Sequence, residues 1–181
     1  MPLSYPYPPL ADGVVALRPW TPADIPDIVR CCNDSEIRRW LPAIPIPYTR
    51  DDAVTFLDDA DGLLERDMMR LAIADASTLA PRGSVGLRIL SPGVAQTGYW
   101  VDPLARGQGI ASRALTLAAA HALRTFPIQR LQLFTGVENV ASQRVAERAG
   151  FTREGTLRNW YHLRGEPQDA IMYSRLPGDA A

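Results

Sequence analysis

The stretch GYWVDPLARGQGIA, residues 98–111, decides how the rest of this chain is read. An apolar run ends at Val101 and a short loop follows. Arg106-Gly107-Gln108-Gly109-Ile110-Ala111 then opens a helix that an alanine- and leucine-rich pattern carries to about Thr125. Glycines at 107 and 109 let the backbone turn sharply and come close to a ligand. The first amides of a helix lack partners within it, so they point outward as donors, and the positive end of the helix dipole adds to them. With Arg106 at the mouth, this strand, turn and helix start predict a site for phosphate or pyrophosphate. A glycine-rich helix start that binds nothing uses the same residues, and spacing does not separate the two. A dinucleotide fold is the other competitor. It wants three glycines tight against the strand end and an acid about 20 positions on. Here the third glycine is missing, Pro103 intervenes, and the acid's place falls within residues 127–130.

Upstream of that stretch, residues 68–74, 84–90 and 97–101 read as three strands whose short connections suit antiparallel neighbours. Ten of the sixteen prolines lie in the first fifty residues. Residues 1–12 therefore read as an extended arm and residues 40–47 (WLPAIPIP) as a surface loop carrying an aromatic. A strand over 13–17 precedes Thr21-Pro22-Ala23-Asp24, which caps a helix to about Cys32. Thr49 caps another, with Val54, Phe56, Leu57 and Leu64 as its apolar set, running to about Arg66. Downstream come a strand over 130–135, a helix over 139–149 and a hairpin of 157–162 with 170–176. The order β-α-α-β-β-β-α-β-α-β-β predicts one mixed α/β domain spanning 1–181.

Composition narrows the chemistry. The 181 residues are 46% hydrophobic and 22% charged, close to the globular average, which excludes disorder and fibrous repeats. All nineteen basic residues are arginine, so Schiff-base, Walker A and kinase-type lysines are excluded. A net charge of −1 offers no basic stripe for nucleic acid and no attraction to an anionic membrane. Cys31 and Cys32 are adjacent and the two histidines, His121 and His162, lie far apart, which leaves no metal-ligand spacing and no disulfide scaffold. No apolar run approaches the ~20 residues of a membrane span, and no signal pattern opens the chain. The expected setting is the reducing cytoplasm.

A second group of residues follows the strand over 131–135. Glu138-Asn139-Val140-Ala141-Ser142 is succeeded by Arg144-Val145-Ala146-Glu147-Arg148-Ala149-Gly150-Phe151. Here the sequence resembles the GNAT superfamily of N-acetyltransferases, and within it the branch of ribosomal-protein N-terminal acetyltransferases. The superfamily's Arg/Gln-x-x-Gly-x-Gly/Ala pattern is met by Arg106, Gly109 and Ala111. The branch's Asn-x-x-Ser is met by Asn139 and Ser142, and its helix-ending Gly-Phe by Gly150 and Phe151. The likeness covers residues 98–176; the first hundred agree more loosely, in element order and at Leu17-Arg18-Pro19.

The resemblance implies a mostly antiparallel mixed sheet with helices on both faces and a central parallel strand pair splayed around acetyl-coenzyme A, bound within 98–151. Residues 97–101 and 131–135 would be that pair. Trp100 and Val101 would offer backbone groups to the pantetheine arm, with the Val101 amide near the acetyl carbonyl. Residues Arg106, Gly107, Gln108, Gly109, Ile110 and Ala111 would hold the pyrophosphate. Asn139 would bond the arm, and Ser142 would donate a proton to the leaving thiolate. Without a ligand, Asn139 is an ordinary helix N-cap and Ser142 an ordinary first-turn residue. The acceptor implied is a primary amine: a peptide N-terminus, or an aminoglycoside, polyamine or amino acid. A coenzyme A-binding module without turnover is the alternative of another class, and a monomer and a homodimer are both open.

Trp40 and His162 are candidates for the acceptor side. The base is least legible: the branch often carries glutamate just before its Gly-Tyr-Trp, where this chain has Gln96 and Thr97. Asp102 is within reach but is also placed to cap the loop before Pro103. Glu154 and His162 are further candidates, with a surface or packing role as the alternative for each, and a water chain without a dedicated base is open. Asp51, Asp52, Asp58, Asp59 and Asp61 keep a polycationic acceptor in view, though such a run is usually a solvated helix face.

Overall fold

Alternating apolar residues through the middle and end of the chain assemble one eight-stranded sheet, described by a computed structural model covering residues 2–179. The side chains of residues 60 and 61, and hence the Asp61 of the acidic run, lie outside the described set. The strands are β1 (Leu10–Ala11), β2 (Val15–Arg18), β3 (Met68–Asp75), β4 (Pro81–Ser91), β5 (Val94–Val101), β6 (Arg130–Gly136), β7 (Thr152–Leu163) and β8 (Glu166–Arg175). Their spatial order is β1-β2-β3-β4-β5-β6-β8-β7, with every pairing antiparallel except β5 with β6. The helices are α1 (Ile25–Cys32), α2 (Ser35–Trp40), α3 (Arg50–Asp58), α4 (Ala60–Glu65), α5 (Ile110–Thr125) and α6 (Val140–Arg148). Helix α5 is the crossover that a parallel pair requires.

Period-two alternation puts β5 side chains on both faces of the sheet. Ala95, Tyr99 and Val101 pack into the larger core, with Leu115 and Ala119 of α5 and Ala146 of α6. Trp100 turns the other way, toward Ile28 of α1, Ala53 of α3 and Trp20, with which it stacks at 6.1 Å. Helices thus cover both faces. Among the described residues no helix is long and apolar enough to cross a membrane.

Several local expectations change. The N-terminal arm is docked, because Leu3 is buried in the main core and Leu10–Ala11 pairs with β2 as an outer strand. Residues 35–40 form a helix that the sequence did not announce and that takes in Trp40, expected at the start of a loop: the Asp34 carboxylate accepts the Ile37 amide at 3.0 Å and so caps α2, placing Arg38, Arg39 and Trp40 on helical backbone. So short a helix has no periodicity to read. The helix expected over 49–66 divides at Asp59, where an acid-rich run containing Gly62 has weak helix propensity. Strands β4 and β5 run on to a turn at Pro92-Gly93, and β7 and β8 to Arg164-Gly165, whose φ values of 55° and 87° suit a two-residue hairpin turn. Glu166 and Pro167 already belong to β8.

Candidate active site

The site begins where the parallel pair comes apart. Strands β5 and β6 are paired only at Val94, Ala95 and Gln96, against Arg130, Leu131 and Gln132. Beyond Gln96, β5 stays paired with β4 as far as Val101, and β6 with β8 as far as Gly136. Their facing edges over 97–101 and 133–136 are therefore free of strand partners, which is the expected splay. Gln96 itself sits in the paired part.

At the end of β5 the chain is pinned before it turns. Asp102 takes both arms of Arg30, at 2.9 and 2.7 Å, and caps the short 3-10 turn Pro103–Ala105 by accepting the Leu104 amide. Its side chain is only 1% exposed, and the Arg30 hydrogen bonds hold its carboxyl below the usual range. Asp102 is thus committed to structure and is no base. Arg106 follows and pairs with Asp34, the cap of α2. Gly107 and Gly109 both have φ of +75°, and a Cβ built at either meets nothing within 4 Å. Helix α5 begins at Ile110 rather than Gly107, with Gly109 as an N-cap that has no side chain to satisfy its amides. Open space, free amides and a cation adjoin one another here. That arrangement fits a pyrophosphate.

Asn139 caps α6: its Oδ1 accepts the Ser142 amide at 3.1 Å, leaving its Nδ2 as the group a ligand can use. The Ser142 hydroxyl lies 2.9 Å from the Tyr99 hydroxyl on β5. Burial pushes the Tyr99 phenol up to about 12, against the smaller lowering effect of Ser142, so Tyr99 keeps its proton at neutral pH.

A cleft of about 440 Å³ joins these parts. Trp100, Val101, Arg106, Gly107, Gly109 and Ile110 line it, as do Ala111, Asn139, Ser142 and Trp40. Two of the expected residues are not in its lining. Gln108 folds back to donate to the Leu104 carbonyl at 3.0 Å, and His162 is exposed on β7, paired in register with Pro167. Glu154 is bound by Arg130 and accepts from Ser174 at 2.7 Å. The Arg130 hydrogen bonds, foremost, hold it down at about 2, so it is no proton acceptor near neutrality.

Sequence reading gave no site role to several cleft residues, among them Glu36, Tyr99, Arg144 and Arg148. Tyr99 lies on the strand read over 97–101, and nothing local announces its bond to Ser142. Arg144 and Arg148 also line the cleft, and their i,i+4 spacing on α6 was a legible sign of a shared face. Trp40 is held by a 2.8 Å hydrogen bond to Glu36 and sits close over Gly136, where a Cβ would lie 2.9 Å from its ring and 2.7 Å from the Tyr161 hydroxyl.

The profile of the acetyltransferase (GNAT) domain matches residues 15–152. The chain belongs to the GNAT acetyltransferase family. The domain that defines the family is an acetyltransferase domain. A ribosomal-protein-serine acetyltransferase of Escherichia coli is 35% identical over 82 residues, which span 45% of this chain and 46% of that enzyme, about half the length of each. Among solved structures, RimL, a ribosomal alpha-N-protein acetyltransferase in complex with coenzyme A, superposes with a TM-score of 0.82 at 24% identity, over 93% of this chain and 97% of that one. A spermidine N-acetyltransferase from Vibrio cholerae in complex with coenzyme A and spermine gives 0.77 at 20% identity, over 93% and 98%. Those two likenesses speak for the fold.

Proposed function

We propose that this GNAT protein acetylates the α-amine of a protein or peptide N-terminus. The observation that carries this choice over a polyamine is the position of the acidic run. Asp51, Asp52, Asp58 and Asp59 lie on or beside α3, and none lines the cleft. Asp52 is spent on the cap of α3, and Asp59 on Arg66. A polycation would find little charge to meet it, whereas a singly charged amine needs little. The similarity to the ribosomal-protein-serine enzyme points the same way.

Acetyl-coenzyme A supplies an activated acetyl thioester, and the chain's residues bind it and handle protons. The amides before and within the first turn of α5, with Arg106, receive the pyrophosphate; Arg144 and Arg148 add cationic charge along α6. The open edge of β5 at Trp100 and Val101 offers backbone hydrogen bonds to the pantetheine amides. The neutral amine attacks the acetyl carbonyl carbon, a new C–N bond forms, and the C–S bond breaks. Ser142 then gives its proton to the departing thiolate, the surplus proton on the new amide nitrogen passes to water, and Ser142 regains a proton from that water, with the Tyr99 hydroxyl 2.9 Å away placed to donate to its oxygen. An α-ammonium with a pKa near ~8 is partly neutral at physiological pH, so deprotonation to water suffices without a strong base.

The test is thiol release from acetyl-coenzyme A with N-terminally varied peptides, aminoglycosides, polyamines and free amino acids. Turnover confined to peptides supports the reading, and turnover confined to small amines replaces it. Coenzyme A binding with no turnover on any acceptor would favour a non-catalytic module.

A further inference from the structure

Among the described residues that line the cleft, Glu36 is the sole carboxylate. It enters from α2, next to Ile37 and one helical turn from Trp40, while the cations Arg106, Arg144 and Arg148 belong to the glycine turn and α6. One oxygen accepts the Trp40 indole N–H at 2.8 Å, which ties the side chain to that wall. The nearest cation on its own helix, Arg39, stands 4.0 Å from the other oxygen and is also engaged with Glu138 at 3.3 Å. A carboxylate has about four acceptor positions, so Glu36 retains capacity for another donor. Its side chain is 51% exposed, open to an arriving ligand. A first-turn acid also suits the helix dipole, but that accounts for charge alone and not for a carboxylate held on the cleft wall.

We propose that Glu36 is the acceptor-binding residue, pairing with the acceptor's ammonium before it loses a proton to water and attacks. The inference rests on the amine-acetyltransferase reading and sharpens it. A single negative charge among Ile37, Trp40 and Leu41 favours a monocationic amine with apolar surroundings. A free amino acid is disfavoured, because its own carboxylate would lie beside that of Glu36.

Glu36→Gln tests this, since glutamine keeps a carbonyl oxygen for the Trp40 hydrogen bond and removes only the charge. Thiol release is measured with a Ser-Ala-Ala-Ala-amide peptide, spermine and glycine. The expected result is an acceptor KM raised about tenfold, a kcat within about threefold of wild type and an unchanged acetyl-coenzyme A KM, since a charge-assisted hydrogen bond is removed. Glu36→Asp should fall between. An unchanged acceptor KM, or an acetyl-coenzyme A KM that rises equally, overturns the assignment. Peptide turnover indifferent to Glu36→Gln removes Glu36 and leaves the proposed function standing. Spermine-only turnover that loses affinity in the variant does the reverse. No turnover of any amine by the wild-type protein overturns both.

Discussion

The hydroxyl of Ser142 is defined by two contacts, each from a different part of the chain. Asn139 fixes its backbone from three residues away, and Tyr99 meets its side chain from the opposite strand. With burial pushing the phenol up to about 12, Tyr99 keeps its proton across the working pH range and so is able to donate to Ser142. Ser142→Ala is expected to lower kcat about a hundredfold, the usual scale for losing a positioned proton donor, with little change in coenzyme A affinity. Tyr99→Phe removes one hydrogen bond and should lower kcat about three- to tenfold. Single-turnover kinetics and calorimetric titration of coenzyme A separate the two effects. Wild-type kcat in Ser142→Ala would rule out the donor role. The buried thiols of Cys31 and Cys32, pushed up to about 12 and 11 by desolvation, stay protonated and have no part in the chemistry.

Elements meet closely where α2 approaches the end of β6. Trp40 can rest there because residue 136 has no side chain, and a Cβ would sit under 3 Å from both its ring and the Tyr161 hydroxyl. Gly136→Ala must push one or both aside. Overpacking of this kind costs about 1–3 kcal/mol, and here it also shifts the wall that carries Glu36. Denaturant melts should show that loss, and the acceptor KM should rise severalfold while coenzyme A affinity holds. An unaltered acceptor KM would show that Trp40 does not shape the acceptor side. The same contact explains why Trp40 is half-buried rather than displayed on a loop.

Across the whole molecule, two ion pairs brace the cleft: Asp102 with Arg30 ties the end of β5 to α1, and Arg106 with Asp34 ties the glycine turn to α2. The first is the more protected, since Asp102 is almost wholly buried while Arg30 is part exposed. Asp102→Asn is expected to cost about 2 kcal/mol at pH 7, the scale of losing charge-assisted hydrogen bonds. The folded-state pKa of Asp102 is depressed, foremost by the Arg30 hydrogen bonds. Its contribution is therefore full above the unfolded carboxyl value, near ~3.9, and disappears as pH falls through the folded value. The stability gap between wild type and variant should narrow on acidification below about pH 4 in urea titrations. A gap of equal size at pH 7 and at strongly acid pH would place its origin elsewhere than in the charge.

What the sequence determined by itself is whatever a few consecutive residues encode. The glycine turn before α5 and the Asn139 cap with Ser142 in the first turn of α6 are such features. So are the two strands and the helix between them, legible because caps, glycine conformations and periodicity act locally, whereas their parallel, splayed pairing was implied by the family resemblance. The helix α2 was not, being one and a half turns long and capped by an aspartate indistinguishable from a loop residue. Only tertiary structure brought Tyr99 to Ser142, Asp34 to Arg106 and Trp40 to Gly136, and it left Asp102, Glu154 and His162 outside the lining of the cleft. Those partnerships depend on where β5 and β6 stop pairing and on which alternate side chains then face the gap. That point is set by packing on both faces of the sheet, a balance distributed over the whole chain.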